Sequence, residues 1–443
     1  MASPTARQSW YALFVLFLIN ALNFYDRQII GAVAEPIRKE WSLSDMQLGV
    51  LSTAFILMYA VVGLPFGRLS DRYSRKHILS IGVILWSLLT AVSGIAGNYA
   101  GLFASRLGVG FGEASCAPAA NSLIGDLFPA RRRATALAIF MLGLPIGLFL
   151  CYRISGIIAQ AYSWREAFYF AAIPGLLIGV LALFMVEPER GATEVHAVAS
   201  RRRPGFPFFV VLGIPTVLWI IISGALHNFN MYTFGAFLPA FLMRVHKLPL
   251  KEATTISSIV TSMGIIGLLG GGWMGDYLGK KLRNGKLLLA AVAMLLSGPF
   301  IYFSIMMEPG NTTMFVTLLG LGTVMIYVYY SCVYATIHDV VEPALRGTAM
   351  ALYFFAMYLL GGSVGPVITG YLSDHFAKQA MESAGAVEMT EAFKAEGLQS
   401  AIMVIPAVCL ALALVLFAGS RTVKKDHEKL ERWMQSNQDS PTE

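Results

Sequence analysis

Four ionisable residues stand inside long apolar runs, Asp26 and Arg27 in one and Arg106 and Glu113 in another. A charge within a membrane span is costly and is kept where it is paired and used. Arg106 and Glu113 are separated by about two helical turns, which puts them on one helix face. At ~1.5 Å per residue, Arg106 lies roughly 8 Å and Glu113 roughly 18 Å below the outer end of their span, and Asp26 roughly 12 Å below that of its own. Asp26 is therefore expected to face Arg106, with Glu113 a turn or two deeper and without an adjacent arginine. The chemistry on offer is a proton and charge relay. Protonation of Asp26 or Glu113 frees an arginine, whose planar fork suits a phosphate or carboxylate. A static ion pair pinning the two helices together is the other reading of the same residues.

Two further groups of polar residues qualify as sites. Gly63–Lys76, GLPFGRLSDRYSRK, is a knot of charge between two apolar runs, and a weaker copy returns as GLLGGGWMGDYLGKK, with Asp276 standing where Asp71 stood and Gly272 where Gly67 stood. Asp71, ending its helix, is placed to meet the positive N-terminus of a neighbouring helix. Gly67, Asp71, Arg72, Arg75, Asp126 and Asp276 form the candidate gate on that side. The second half of the chain lacks carboxylates in the middle of its spans and offers His227, Asn228, Asn230, Tyr327, Tyr330, Tyr334, Tyr353 and Tyr358 as candidate cavity residues. A cavity charged on one wall and aromatic on the other suits an amphiphile, whereas each tyrosine taken singly also fits packing or a lipid-facing position. Arg153, roughly 28 Å along its span, either snorkels to the head groups or serves as an outer gate against Asp26 or Glu113.

The elements that must carry these residues follow from composition. Hydrophobic residues make up 56% of the 443 and charged residues 13%, about half the charged share of a soluble domain. Taking roughly 20 apolar residues as one span, twelve are predicted, near 10–33, 46–67, 78–97, 101–126, 134–158, 166–186, 208–232, 253–275, 286–307, 312–337, 347–372 and 399–419. The basic clusters Arg68–Lys76, Arg131–Arg133, Arg201–Arg203 and Lys280–Lys286 fall on one side of that arrangement, which the positive-inside rule makes cytoplasmic. Both termini share it. The net charge of +7 is therefore a membrane-orientation signal, with no nucleic-acid partner implied.

The predicted organisation is an N-terminal six-helix bundle (1–187), a cytoplasmic linker (188–207), a C-terminal six-helix bundle (208–420) and a cytoplasmic tail (421–443). The fold class is thus an all-α polytopic membrane protein of two pseudo-symmetric bundles. PARRRATA at Pro129–Ala136 and PALRGTA at Pro343–Ala349, each opening the fifth span of its half, support the duplication. The tail, with Val423, His427, Leu430 and Met434 near helical spacing, reads as a short amphipathic helix on the inner membrane surface. Cys116, Cys151, Cys332 and Cys409 lie in separate apolar segments and read as small core residues.

The Gly63–Lys76 stretch resembles the loop signature of the major facilitator superfamily, G-x-L-[SA]-D-R-x-[GS]-R-[RK], with Gly67, Leu69, Asp71, Arg72, Ser74, Arg75 and Lys76 in place. Within it the N-terminal half resembles the Spinster group, through NFYDRQIIGAV at Asn23–Val33, GVGFGEAS at Gly108–Ser115, SLIGDLF at Ser122–Phe128 and SWREAFYFAAIPG at Ser163–Gly175. The resemblance implies a transporter of lysolipids or sphingosine-1-phosphate-like amphiphiles, proton-linked in bacteria, with the Asp71 loop as a gate for the outward-open state. Span five departs from the family pattern. Phe149, Cys151 and Arg153 stand where small or apolar residues are the rule, so close packing of that span is expected to suffer.

The leading expectation is a secondary transporter of the inner membrane, multi-pass and by default monomeric, whose partners are an amphiphilic lipid-like molecule, protons and membrane lipid. The alternative is a proton-coupled symporter or exporter of a small organic anion or drug on the same fold. An enzyme is not expected, because no H-x-x-E, G-x-S-x-G or paired-carboxylate constellation appears at a membrane surface. Neither a cofactor nor a metal is expected, and without a G-x-x-x-x-G-K-[ST] loop direct drive by ATP has no support.

Overall fold

The computed structural model describes residues 5–190, 207–342 and 345–438. Every regular element among them is a helix. In chain order these are α1 (Ala6–Trp41), α2 (Asp45–Arg72), α3 (Arg75–Ile95), α4 (Tyr99–Glu113), α5 (Cys116–Leu127), α6 (Ala130–Met141), α7 (Gly143–Ala161), α8 (Trp164–Leu183), α9 (Pro207–Leu212), α10 (Pro215–Arg244), α11 (Leu250–Lys281), α12 (Gly285–Ile305), α13 (Thr312–Val340), α14 (Arg346–Ala356), α15 (Val364–Ser383), α16 (Glu391–Ile402) and α17 (Val404–Gln438). A π-helical segment, Met357–Gly362, joins α14 to α15.

Among the described residues, ten helical stretches are long and apolar enough to cross a membrane, so the chain is a multi-pass membrane protein. Two of the predicted spans are not among the ten, and both are diluted by polar residues. One is α4 with α5, which carries Arg106 and Glu113 and is interrupted at Ala114 and Ser115; the other is α10, with His227, Asn228 and Asn230 at its middle. Polar residues do not exclude a span by themselves, since α1 carries Asp26 and Arg27 and is among the ten.

Residue contacts divide the chain into two compact units. The first comprises Met1–Ala197, Phe234–Ser262 and Pro366–Leu398; the second comprises Val198–Thr233, Met263–Gly365 and Gln399–Glu443. Most of the predicted linker, residues 191–206 with Arg201–Arg203, lies outside the described residues.

In the first unit α1 is the central helix. Its start is capped by Thr5, whose hydroxyl accepts from the Gln8 N–H while Gln8 reaches back to the Thr5 N–H, two otherwise unmet donors satisfied together. Pro36 removes one intrahelical donor, and three residues earlier the backbone leaves helical geometry at Val33. Along its length α1 packs on α7, and the closeness of that contact corrects the expectation for span five. A Cβ placed at Gly147 would stand 2.1 Å from the Ala21 carbonyl oxygen, and one at Gly156 would stand 1.8 Å from Thr254 Oγ1. Gly143 and Gly147 make the contact with α1, and Gly156 makes one with α11. Phe149, one of the substituted positions, turns outward, and Cys151 is small enough to stay buried beneath them.

In the second unit the chain's last helix corrects a second expectation. The tail is not a separate surface helix but the continuation of α17, which is unbroken from Val404 to Gln438. Val423 and Leu430 are buried in the protein. Asp426 accepts from the Thr216 N–H at 2.9 Å and from the Thr216 hydroxyl at 2.6 Å, a carboxylate at the first turn of α10 where the helix dipole favours it.

Gly147→Val should lower stability by about 1–3 kcal/mol, the usual cost of overpacking, because the new side chain meets backbone. Gly63→Ala, where a Cβ meets nothing within 4 Å, should leave the unfolding midpoint unchanged. Detergent-phase thermal unfolding followed by tryptophan fluorescence compares the two; equal midpoints would mean that α1 and α7 do not depend on this contact.

Candidate functional site

The first unit brings all four span charges together. Asn23 and Arg27, one turn apart on α1, both reach Glu113 at the end of α4: Asn23 Nδ2 donates to Glu113 Oε2 at 2.6 Å, and Arg27 Nε to the same oxygen at 3.4 Å. Glu113 therefore has an arginine of its own, contrary to expectation. Neighbouring residues on a helix point about 100° apart, so Asp26 and Arg27 cannot both face Arg106. Arg27 turns to Glu113, where its guanidinium lies over the rings of Tyr59 (4.2 Å), Phe24 (4.9 Å) and Phe55 (5.2 Å). Such faces attract a cation, the more so when it is desolvated.

Arg106 does meet Asp26, but through the backbone: its NH2 donates to the Asp26 carbonyl oxygen at 2.5 Å. The Asp26 carboxylate is buried beside the Trp86 indole N–H, but neither of its oxygens makes a hydrogen bond of ordinary geometry; nor do Arg106 Nε and NH1. Glu113 is buried as well, with Oε1 unmet. Two carboxyls and two guanidiniums thus share one interior with incomplete hydrogen bonding. Protonating either acid changes the net charge of a site that excludes water, where charge is felt most strongly.

Two outlying networks in the same unit tie helix ends. Arg75, at the start of α3, donates from NH1 to Asp126, from Nε to Glu187 Oε1 at 2.8 Å and from NH2 to the Pro188 carbonyl at 2.8 Å. Glu187 Oε2 accepts from Ser74 Oγ and from the Lys76 N–H, each at 2.9 Å. Of the predicted gate, Arg75 and Asp126 are brought together and Arg72 is exposed, while space is open around Gly67. The Asp71 side chain lies outside the described residues. Glu187 was missed, although the EPER run that opens the linker is its sequence signal. Burial pushes the Glu187 carboxyl up, but the Lys76 amide, the Arg75 guanidinium and the Ser74 hydroxyl outweigh it and hold the group below the usual carboxylate range. In the second unit Asp276 is exposed, and Lys286 donates to Asp339 at 2.7 Å.

The other network went unseen in the sequence. Arg244, ending α10, grips Asp45 with NH1 and NH2 at 2.7 Å each and Glu35 with Nε at 2.8 Å. Arg38 NH2 donates to Glu35 Oε1 at 2.7 Å and to Glu391 Oε2 at 2.5 Å. Ser373 Oγ donates to Asp45 Oδ2 at 2.6 Å, and Asp374 accepts from the Asp45 and Met46 amides. Charges at span ends read as interfacial in sequence, yet Glu35, Arg38, Asp45 and Arg244 are all buried. Only the Glu35–Arg38 spacing of three residues hinted at a pair. Arg153 joins neither Asp26 nor Glu113: its NH1 donates to Thr255 Oγ1 at 2.5 Å.

The second unit holds the aromatic residues. The His227 ring stacks on Tyr329 with centroids 4.0 Å apart and meets Tyr330 edge-on at 4.6 Å. Tyr330 also contacts Tyr327 and Tyr334, and Tyr334 contacts Tyr353. Tyr358 packs by Tyr232 and Phe354. Asn228 Nδ2 donates to the Met357 carbonyl at 3.1 Å, in the π-helical segment, a distortion frequent at functional sites. Asn230 points elsewhere, to the Ile405 carbonyl and Cys409 Sγ, and so packs α10 on α17. Tyr329 was missed as the ring on which His227 rests. Among the described residues no group of three His, Cys, Asp or Glu side chains is placed to hold a metal ion.

Comparison with known proteins gives a family match to the Major Facilitator Superfamily over residues 16–366. A bacterial homologue of the human lysosomal transporter Spinster, crystallised in an inward-facing and unoccupied conformation, superposes with a TM-score of 0.85 at 27% identity, covering 96% of this chain and 99% of that one. The hexuronate transporter of Bacillus subtilis is 28% identical over 81% of this chain and 86% of its own length. The sphingosine-1-phosphate transporter SPNS2 of Danio rerio is 26% identical over 94% of this chain and 84% of its own.

Glu187→Gln should lower the unfolding midpoint at neutral pH, by ~1–2 kcal/mol after discounting the bonds of a charged group for solvent access. The folded carboxyl titrates below its unfolded value of ~4.3, so its contribution is complete above that pH and fades as pH falls through the lower folded value. The gap between variant and unaltered protein should therefore close below about pH 4. A gap of constant size down to that pH would mean that the Glu187 charge is not what holds the loop.

Proposed function

Because the chain belongs to the major facilitator superfamily, and is a transporter and not an enzyme, we propose that it is a proton-coupled secondary transporter. Its cargo in this reading is a lysolipid or sphingosine-1-phosphate-like amphiphile carried by alternating access. The likeness to Spinster proteins and to a sphingosine-1-phosphate transporter supports the cargo class. The observation that carries the mechanism is the buried group of Asp26, Arg27, Arg106 and Glu113.

With both acids ionised, the two carboxylates and two guanidiniums cancel. One proton taken up by Asp26 or Glu113 leaves a net positive charge in a site that excludes water. Neutralising Glu113 weakens the hold on Arg27; neutralising Asp26 removes the carboxylate nearest Arg106. Either guanidinium then favours an anionic head group, and the planar fork pairs with phosphate or carboxylate through two parallel bonds. Loss of the proton reverses the preference and expels the anion. Proton binding and anion binding are linked in both directions, because coupling between two binding events is reciprocal.

In this reading the Arg75 network and the basic loops lie on the cytoplasmic side of an inner membrane, with both termini, and the Arg244 network lies on the opposite side. Arg75 with Asp126 and Arg244 with Asp45 then serve as gates that break and form in the cycle. A second reading is favoured by the hexuronate transporter among the relatives: a small organic anion takes the place of the lysolipid on the same arginines.

Uptake into proteoliposomes, with and without an imposed pH gradient, tests both. A labelled lysophospholipid should move only with the gradient, and Glu113→Gln should cut that rate by about tenfold or more, the scale set by losing a positioned proton carrier. Movement of hexuronate alone would overturn the lipid cargo and leave the relay standing. Full gradient-driven rates in both Glu113→Gln and Asp26→Asn would sink the relay.

A further inference from the structure

We propose that the His227 imidazole is the docking point for an uncharged hydrogen-bonding group of the cargo, a hydroxyl or an amide, and that Tyr330 covers it in this structure. The inference deepens the transport reading above and rests on it.

His227 is fully buried, and neither Nδ1 nor Nε2 has a hydrogen-bond partner. A neutral imidazole carries one donor and one acceptor, and leaving such groups buried and unmet is unfavourable. A ring kept only for packing needs no nitrogen. One face of the imidazole is fixed: it lies nearly parallel to Tyr329 at 4.0 Å. The Tyr329 hydroxyl is in turn held by Ser223 Oγ at 2.8 Å and by the Tyr353 hydroxyl at 3.2 Å.

The other neighbour is differently placed. Tyr330 stands edge-on to His227 at 4.6 Å and is only half-buried. It also meets Tyr327, at 5.8 Å, whose buried hydroxyl is likewise without a partner. Tyr330 thus touches two rings that carry unmet polar groups, and among the described residues its own hydroxyl is bonded to nothing in the protein. A rotation of that one side chain bares His227 and Tyr327 to a ligand group able both to donate and to accept.

Charge decides what kind of group that is. The three stretches that build the cluster, 215–233, 312–337 and 347–365, contain no Asp, Glu, Lys or Arg. An anion placed there would be desolvated without a counter-charge. A hydroxyl or amide loses little on entry and gains both bonds.

The test pairs two ligands of equal chain length, lysophosphatidylglycerol, with free head-group hydroxyls, and an alkyl phosphate, with none. His227→Phe keeps the stacking and removes both nitrogens. It should weaken binding of the hydroxylated ligand by about tenfold, the worth of a good hydrogen bond, and leave the alkyl phosphate unchanged. An equal loss for both ligands, or none for either, overturns the proposal. His227→Leu carries the same expectation should the phenylalanine variant fail to fold. With His227 intact, fluorine NMR of a fluorotyrosine at position 330 should shift with the hydroxylated ligand alone; the same shift with both would overturn the cover. If the unaltered protein binds neither lipid, the amphiphile reading falls. The pair then becomes glucuronate and hexanoate, and a selective loss for glucuronate upholds His227 while an unselective one overturns it.

Discussion

A charge in the interior of a membrane protein must find its partner inside the protein, because no water is there to solvate it. Much of the first unit is arranged by that requirement. α1 carries Asp26 and Arg27 side by side, and the helix geometry points them in different directions. Arg27 draws in the end of α4 through Glu113 and the aromatic face of α2 through Phe55 and Tyr59. Asp26 faces Arg106, one acid and one base that remain short of hydrogen bonds. A fully bonded cluster would be a structural staple with no reason to change state. This one keeps unmet oxygens and nitrogens in a buried interior, where a change of partners costs fewer bonds.

The same requirement at helix ends gives the opposite outcome. Arg75 is fully engaged, with acceptors at Asp126, Glu187, Ser122 and Pro188, and Arg244 grips Asp45 with both nitrogens. Breaking a pair buried on both sides, as Arg244 with Asp45 is, by removing one partner costs several kcal/mol, about 3–5, and the part-exposed partners of Arg75 cost less. These contacts are suited to holding a state and the inner cluster to changing one. The internal repeat extends to this chemistry. Lys286 and Asp339 in the second unit occupy the places of Arg75 and Asp126, the start of one span and the end of the next. The lysine makes one contact, with Asp339, where the Arg75 guanidinium reaches Asp126, Glu187, Ser122 and Pro188, so the second copy of the contact is the weaker one.

The fold was legible because span length, loop charge and the repeated glycine and aspartate pattern are all local signals. The inner cluster was legible in part. The spacing of Arg106 and Glu113 and the depth of Asp26 predicted which residues share a level, since helical rise is a fixed quantity. They did not predict that Arg27 would turn to Glu113, because that depends on the rotation of α1 against α4. The Arg244 network was invisible for a related reason: Glu35, Arg38, Asp45 and Arg244 sit at span ends, where sequence reads every charge as interfacial. Asn230 shows the reverse error. Its neighbours His227 and Asn228 suggested a shared cavity, but Asn230 lies two residues past Asn228, about 200° around the helix, and it bonds toward α17.

The division of labour between the units follows from where polarity is charged and where it is neutral. The first unit contains a cluster whose net charge a proton can change. The cluster in the second holds no carboxylate, lysine or arginine; its polar groups are a neutral imidazole, amides and phenols. In the proposed cycle a proton alters the affinity of the first unit for an anion, while the proposed preference of the second unit for hydroxyls and rings does not depend on it. Energy coupling and recognition of the neutral part of a cargo are then separable properties. Under the proposed cycle a substitution in the aromatic cluster acts on which molecule is chosen, and one among Asp26, Arg27, Arg106 and Glu113 acts on whether a gradient drives it. An amphiphile, anionic at one point and neutral or apolar over the rest, is the class of molecule for which such a separation is useful.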